Sequence, residues 1–188
     1  MEAFTWAEIR RLQLRTGPGT EPIDQPPPTL GELLILVNRR VQLLIEIKHP
    51  EHGHYAGLEE KILALLEAHR MVEKTLVISF DIDELMRLRQ LHPTVRLGGL
   101  LSARQVSEGR SIATLLEEVV AAKAQLAGFQ HTLLTVDVIA AARQRGLMVA
   151  AWTVDDETIM QRMLELGIDI LISDRPDLAK RLVTAGGP

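Results

Sequence analysis

The sequence predicts an α/β fold built on a parallel sheet, and three observations support that fold class. Strand-like apolar runs alternate with helix-like amphipathic segments about six times, at intervals of roughly 30 residues. The run that ends at Glu46 is apolar on both faces, which is typical of a strand covered on both sides. The chain has 188 residues, of which 46% are hydrophobic. This size and composition suit one globular domain over residues 1–188.

Composition and charge exclude several functional classes. The net charge is −4, the isoelectric point is about 5.9 and no dense Lys/Arg cluster occurs, so nucleic-acid binding is not expected. The absence of cysteine rules out disulfides, thiol catalysis and cysteine-ligated zinc. No apolar run approaches the ~18 residues of a membrane span, and residues 1–6 lack the pattern of a signal peptide. We therefore expect no stable membrane insertion and a cytoplasmic location, leaving open a signal peptide lost upstream of Met1.

The N-terminal part is predicted to contain two helices separated by a loop. Residues 4–14 form a helical pattern with Thr5 as a candidate N-cap. Residues 16–28 are too rich in Pro and Gly for a regular element. Thr29 and Glu32 then have the spacing of a capping box in front of a helix of about ten residues.

The rest of the chain alternates between strand and helix patterns. Strands are predicted at 75–80, 95–100, 126–130, 147–154 and 168–173, and helices at 58–70, 81–91, 111–125, 135–145, 155–166 and from 176 onward. Gly146 and Gly167 follow two of the helices, where glycine commonly ends a helix. Such an order favours parallel strands joined by crossover helices.

Glu46 and Lys48 break the apolar run at the end of the strand near residue 45. Their spacing places both side chains on one face of the strand, with Ile45 and Ile47 on the other. Ligands of parallel α/β proteins bind at the carboxyl ends of the strands, so the pair is a candidate site. A structural ion pair at the strand end explains the same pattern, and both interpretations remain open at this point.

Two architectures fit the alternation, an open doubly wound sheet and a (β/α)₈ barrel. A complete barrel has eight units and typically ~250 residues, so this chain would be about two units short. An open sheet would need no missing unit. However, none of the predicted strands is followed by the Gly-rich phosphate loop of a nucleotide-binding sheet.

Several ordered segments resemble the glycerophosphodiester phosphodiesterase family. They are Leu44-Ile45-Glu46-Ile47-Lys48, Val77-Ile78-Ser79-Phe80, the run from Val149 through Trp152 to Asp155, and the run from Gly167 to Pro176. Pro26-Pro27-Pro28-Thr29-Leu30 also resembles the segment before the third barrel strand of that family. The resemblance covers nearly the whole chain. It implies a (β/α)₈ barrel that lacks roughly its first two βα units.

The resemblance also implies a reaction and three site residues. The family hydrolyses a glycerophosphodiester, a small molecule, to an alcohol and glycerol 3-phosphate with the help of a divalent cation. Glu46 would be a ligand of that cation, Ca²⁺ or Mg²⁺, whose preference for carboxylate oxygens agrees. Lys48 would contact the phosphate, and Trp152 would pack against the glycerol or alcohol portion. Taken without the resemblance, Trp152 is interpreted as a core aromatic residue.

The sequence departs from the family pattern in its catalytic segments. The His-Arg-Gly, Pro-Glu-Asn and His-Asp segments of the family do not occur. His69 precedes Arg70, but Met71 follows in place of the glycine, and no histidine precedes Asp. No catalytic residue is therefore assigned. The resemblance implies an enzyme, a glycerophosphodiester phosphodiesterase, while the absence of the catalytic histidine segments argues against activity of this chain alone. The alternative is a non-catalytic remnant, or a half-barrel that binds phosphodiester weakly or needs a partner chain. Open barrel edges also predict self-association.

Two further groups of polar residues are interpreted structurally. His49, His52 and His54 lack the fixed spacing of a preorganised metal site, so they are expected in a solvated loop. Asp155 and Asp156 are expected to complement the dipole at the start of a helix.

Overall fold

The N-terminal part of the chain carries short elements outside the main sheet. The computed structural model describes residues 4–15, 21–48, 50 and 53–185. Its first elements are α1 (Trp6–Ile9), β1 (Leu14–Arg15), β2 (Pro22–Ile23) and α2 (Leu30–Val37). Thr29 forms the predicted capping box with Glu32, and Thr5, predicted as an N-cap, also forms a capping box, with Glu8. The helix that precedes the main sheet, α2, therefore has a hydrogen-bonded N-cap.

Six parallel strands form one sheet whose order follows the chain. They are β3 (Leu43–Glu46), β4 (Thr75–Ser79), β5 (Arg96–Leu101), β6 (Leu126–Gln130), β7 (Met148–Trp152) and β8 (Ile170–Leu171). Among the described residues, β3 and β8 each pair with one neighbour only, so they are the two edges. Sequential pairing of parallel strands is the arrangement of a barrel wall, and the fold is an α/β half-barrel.

Helices cover one face of this sheet. They are α3 (Leu58–Ala68), α4 (Ile82–Leu91), α5 (Ala103–Ser107), α6 (Ile112–Ala121), α7 (Val136–Gln144), α8 (Glu157–Glu165) and α9 (Pro176–Ala185). Buried residues of the helices pack with alternate strand residues such as Val77, Leu97 and Phe129 in the main core. A second, smaller cluster on the opposite face consists of strand residues, including Leu76, Leu100 and Leu126. We call these two sides of the sheet the helix face and the inner face.

Gly99 lets α6 approach the sheet closely. A Cβ atom added to Gly99 in β5 would lie 2.5 Å from Cγ2 of Val119. Such a separation is well below van der Waals contact, so a larger residue would force the helix and the strand apart. Glycine is therefore required at this position by packing on the helix face.

Several sequence-based boundaries were wrong. The helix expected over 4–14 ends at Ile9, because Leu14 pairs with Ile23 in the β1–β2 hairpin. The segment 16–28, expected to be a loop, accordingly contains β2. The helix expected over 111–125 ends at Ala121, since Lys123 turns into the left-handed region with φ 53°. The short helix α5 was not predicted.

The described helices do not include a membrane span. None of them is both long and apolar enough to cross a bilayer.

Candidate functional site

Glu46 and Lys48 lie on the inner face at the carboxyl end of β3. Ile45 and Ile47 point to the helix face, where Ile47 is buried and Ile45 packs against the main core. Period-two alternation then directs the side chains of Glu46 and Lys48 to the opposite side. The structure therefore places both charged groups where the sequence pattern expected them.

A small cavity opens on this part of the inner face. Its volume is about 190 Å³ and its lining combines two charged residues with apolar and aromatic ones. The lining residues are Glu46, Lys48, Ile78, Phe80, Leu100, Trp152, Thr153 and Ile172. The cavity thus gathers all three site residues predicted from the sequence, two from the end of the edge strand β3 and one from β7, the strand next to the other edge.

Larger hollows lie elsewhere, two of them beside helices. One of about 450 Å³ lies beside α4 and α6, and its charged residues Arg110 and Glu118 already form an ion pair with each other. The other, of about 520 Å³, lies near Pro93 and Lys123, away from the carboxyl ends of the strands. The first borders Phe80 and Asp81 directly after β4 but contains none of the predicted site residues, so we take the smaller inner cavity as the candidate site.

Glu46 and Lys48 form an ion pair within the site. The Lys48 ammonium donates to Glu46 Oε1 at 2.5 Å. The Lys48 side chain is 76% exposed, whereas that of Glu46 is 29% exposed. An ion pair with so much solvent contact contributes typically ~0–1 kcal/mol to stability. The pair can therefore open to admit a ligand at little cost to the fold.

Trp152 is held rigidly at the other side of the cavity. Its indole Nε1 donates to the backbone carbonyl of Gly128 at 2.9 Å. Phe80 packs edge-to-face against it, with ring centroids 5.4 Å apart and an interplanar angle of 88°. Trp152 is half-buried, so one part of the ring packs in the inner cluster while another part lines the cavity. Core packing and contact with a ligand are both compatible with this placement.

The described residues do not by themselves fit a calcium or magnesium site. No group of three or more His, Asp or Glu side chains within these ranges could hold a metal ion. Glu46 is one carboxylate already paired with a lysine, whereas Ca²⁺ takes six to eight oxygen ligands.

The other polar residues singled out from the sequence do not join the cavity. His49 and His52 lie outside the described residues, and His54 borders a separate hollow with Glu59 and Arg87. Asp156 caps α8 as expected by accepting from the Ile159 amide at 3.0 Å. Asp155 lies directly before that N-cap, and its carboxylate accepts from Ser173 Oγ and the Asp174 amide, which ties together the segments that follow β7 and β8.

A buried polar cluster on the helix face was not predicted. Ser79 Oγ donates to Glu84 Oε2 at 2.6 Å, and Arg87 Nε donates to Glu59 Oε1 at 2.7 Å. Both glutamates are buried, at 2% exposure for Glu84 and 3% for Glu59. We call Glu59, Ser79, Asp81, Glu84 and Arg87 the buried cluster.

The two buried glutamates of this cluster have opposite pKa shifts. Burial raises the pKa of Glu84, which the nearby Asp81 and Glu59 carboxylates raise further, against the Ser79 hydrogen bond and the Arg87 charge. Burial would also raise the pKa of Glu59, but the hydrogen bond and positive charge of Arg87 outweigh it and lower that pKa. Glu84 therefore takes up a proton at a higher pH than Glu59 does.

Comparison with known proteins identifies the family of this chain. The model of the "Glycerophosphoryl diester phosphodiesterase family" matches residues 1–178. The chain belongs to this family. A glycerophosphodiester phosphodiesterase of Bacillus subtilis is 31% identical over 157 residues, covering 80% of this chain and 52% of the relative. One from Caldanaerobacter subterraneus is 28% identical over 185 residues, covering 98% of this chain and 73% of the relative.

Solved structures of the phosphodiesterase family share the half-barrel. A protein of Agrobacterium tumefaciens assigned as a glycerophosphoryl diester phosphodiesterase matches with a TM-score of 0.82 and 27% identity, covering 96% of this chain and 71% of that one. A phosphodiesterase of Oleispira antarctica, solved with the product sn-glycerol 3-phosphate, matches with a TM-score of 0.69 and 23% identity, covering 84% and 61%. This chain thus spans roughly half to three quarters of its relatives.

Proposed function

We propose that this protein is a phosphoric diester hydrolase acting on glycerophosphodiesters, and that its phosphate-binding residues lie at the inner cavity. The single observation that carries the proposal is that Glu46, Lys48 and Trp152 line one cavity at the carboxyl edge of a sheet of this family. The reaction adds water across a P–O bond. A water oxygen bonds to phosphorus, and the bond between phosphorus and the alcohol oxygen breaks. The alcohol oxygen takes up a proton, and the two products are the alcohol and glycerol 3-phosphate.

Lys48 is the proposed phosphate contact. Its ammonium is largely exposed and is held by a single carboxylate, so it can turn toward an anion in the cavity. A positive charge there stabilises the negative charge that develops on the phosphoryl oxygens. The relative from Oleispira antarctica, which binds sn-glycerol 3-phosphate, supports a ligand of this chemical type.

Trp152 is the proposed contact for the glycerol or alcohol portion. The hydrogen bond to Gly128 and the packing of Phe80 fix the indole, so its exposed surface is preorganised. An ordered aromatic face binds C–H groups of a polyol without losing side-chain entropy on binding.

Glu46 is the proposed contact for a divalent cation, Ca²⁺ or Mg²⁺. Its carboxylate would supply hard oxygen ligands to the cation, whose other ligands are not found among the described residues. Calorimetric titration with Ca²⁺ and with Mg²⁺ tests this assignment, with E46Q as the comparison. Equal heats for the wild-type chain and E46Q would contradict the assignment.

We further propose that residues 1–188 form one domain equivalent to a (β/α)₈ barrel without roughly its first two βα units. The six-stranded sheet with two open edges supports this proposal. So does the greater length of the relatives. The general acid and base are not assigned to any described residue. Binding without hydrolysis, in a half-barrel that needs a partner chain, is the second candidate, and the open edges favour it.

The assay that separates the two candidates is hydrolysis of glycerophosphocholine with Ca²⁺ or Mg²⁺. Activity that Glu46→Ala abolishes would support a hydrolase. Absence of hydrolysis with either cation, together with retained binding of sn-glycerol 3-phosphate, would support the binding role.

The phosphate contact is tested separately by titration of sn-glycerol 3-phosphate, followed by ³¹P NMR. We expect K48M to weaken binding about 10-fold or more, since a charge-assisted hydrogen bond is worth roughly 1.5–3 kcal/mol. The matched control is K61M, which replaces an exposed lysine of α3 that does not line the cavity. Equal affinity of K48M and K61M would reject Lys48 as the phosphate contact.

A further inference from the structure

The end of β3 is attached to the sheet through β4. In the described chain β4 is the only strand paired with β3. Beyond the register of the two strands, the Ile47 amide donates to the Ile78 carbonyl at 2.9 Å. The Ser79 hydroxyl, which lies on the helix face, donates a hydrogen bond to the carbonyl of Ile47 at a distance of 3.3 Å. These two bonds hold the residue that lies between Glu46 and Lys48.

Glu84 holds the Ser79 hydroxyl in place instead of capping its own helix. Glu84 is the third residue of α4, the position from which Glu or Gln reaches back to the N-cap amide in a capping box. The boxes of α1, α2 and α5 have that form. In α4 the amide of the N-cap residue Asp81 donates instead to Ser79 Oγ, at 3.1 Å. The carboxyl of Glu84 is thereby free to turn inward to Ser79.

The hydrogen bonds that link Glu84, Ser79 and Ile47 can all be formed at once only when the Glu84 carboxyl is protonated. Ser79 has one hydroxyl proton and two acceptors within reach, Glu84 Oε2 and the Ile47 carbonyl. When Glu84 is protonated it donates to Ser79, and Ser79 donates its own proton to Ile47, so that every acceptor is satisfied. The raised pKa of Glu84, caused by burial and by the neighbouring carboxylates, agrees with this arrangement.

We propose that Ser79 and Glu84 are positioning residues, which fix the C-terminal end of β3 from the helix face so that Glu46 and Lys48 project into the inner cavity. The inference rests on the proposed function of that cavity. It concerns residues on the opposite side of the sheet, which do not touch a ligand there. Glu59, Asp81 and Arg87 are the charged groups facing Glu84, and they keep the surrounding cluster paired.

The test is amide hydrogen exchange of Ile47, followed by NMR in the full chain. The double variant S79A/E84L replaces both side chains by apolar groups, which limits the loss of global stability. It also removes the acceptor of the Asp81 amide, so a local loss at the start of α4 is expected as well. We expect the Ile47 amide to exchange about 2- to 10-fold faster in it, the effect of one hydrogen bond on local opening. Amides of β6, such as that of Phe129, should keep their rates. E84Q retains a neutral donor to Ser79 and should preserve the wild-type rate of Ile47.

Thr75→Val is the matched control on the same strand. Its hydroxyl is buried on the helix face without a hydrogen-bond partner among the described residues, so its removal should not change Ile47 exchange. An unchanged Ile47 rate in S79A/E84L would overturn the proposal. So would an equal acceleration at Phe129, since that result indicates global destabilisation. The exchange rates are measured without substrate or metal, so a failure to hydrolyse glycerophosphocholine would reject the proposed function and leave this test intact.

Discussion

The charged residues on the two faces of the sheet near β3 and β4 differ in how strongly their ionisation affects the free energy of unfolding. On the inner face Glu46 and Lys48 keep solvent contact, and their ion pair is worth at most ~1 kcal/mol. On the helix face Glu59 and Glu84 are buried, where an uncompensated charge is costly. The inner pair is therefore available to a ligand, whereas the protonation of the buried pair is linked to stability.

At the residue scale, we predict a pH-dependent stability difference between wild type and E84Q. A carboxyl with a raised pKa in the folded state stabilises the fold when protonated. That contribution is present below its ordinary value of 4.5 and is lost as the pH rises through the raised pKa. The stability of the wild type relative to E84Q should therefore fall above about pH 4.5, by at most ~1.4 kcal/mol per pH unit.

Urea unfolding at several pH values between about 3 and 8 measures this difference. E32Q is a useful control. Glu32 lies in an exposed capping box, where hydrogen bonds from Thr29 lower its pKa, so its contribution to stability is present above its ordinary value of 4.5 and is lost as the pH falls below that value, which is the opposite sign. A wild-type and E84Q difference that does not change with pH would show that Glu84 does not titrate abnormally.

At the scale of elements, the contact of α6 with β5 depends on the absence of a side chain at Gly99. G99A would place Cβ against Val119 Cγ2, and overpacking of this kind typically costs ~1–3 kcal/mol. The same substitution at Gly31 in α2 meets its nearest side chain, Leu65, at an ordinary 3.8 Å. Because alanine favours helix more than glycine, G31A should instead stabilise by up to ~1 kcal/mol.

The cause of the loss in G99A is tested with V119A. Trimming Val119 removes the clashing methyl groups, so the double variant G99A/V119A should be less destabilised than the sum of the single variants. We expect a coupling of at least ~0.5 kcal/mol in urea unfolding. Additive losses would indicate that the backbone of β5, and not its contact with α6, is what the substitution disturbs.

At the scale of the whole molecule, the sheet has open edges next to exposed apolar residues. Ile35 and Leu36 on α2 are 69% and 67% exposed, and Val41 precedes the edge strand β3 with 51% exposure. An unpaired edge beside an apolar surface favours association between chains. We therefore propose that this chain self-associates through the β3 edge.

Light scattering coupled to size exclusion tests the association over a range of concentrations. V41K places a charge beside the edge strand and should shift the population toward monomer. V183K on α9 adds the same charge at a residue of similar exposure, 55%, and should leave the population unchanged. A monomeric wild type at all concentrations would contradict the self-association.

Local patterns predicted much of the fold. The N-cap at Thr5, the capping box at Thr29 and the alternation around Glu46 were confirmed, because each depends on residues close together in the chain. Boundaries failed where a distant partner decides them, as at Leu14, which leaves its helical pattern to pair with Ile23. The short strand β8 was predicted too long for a similar reason, because strand length depends on pairing with β7.

The sequence alone determined the family, the parallel order of strands and helices, and the face on which Glu46 and Lys48 lie. These properties follow from residue type and short-range spacing. Only the tertiary structure brought Trp152 and Phe80 to the same cavity as Glu46, because they come from separate strands. It alone also showed that the carboxyl of Glu84, at the third position of α4, turns inward to Ser79 instead of capping its helix. The physical reason is that hydrogen-bond partners and burial are set by elements that meet only after folding, so local spacing cannot reveal them.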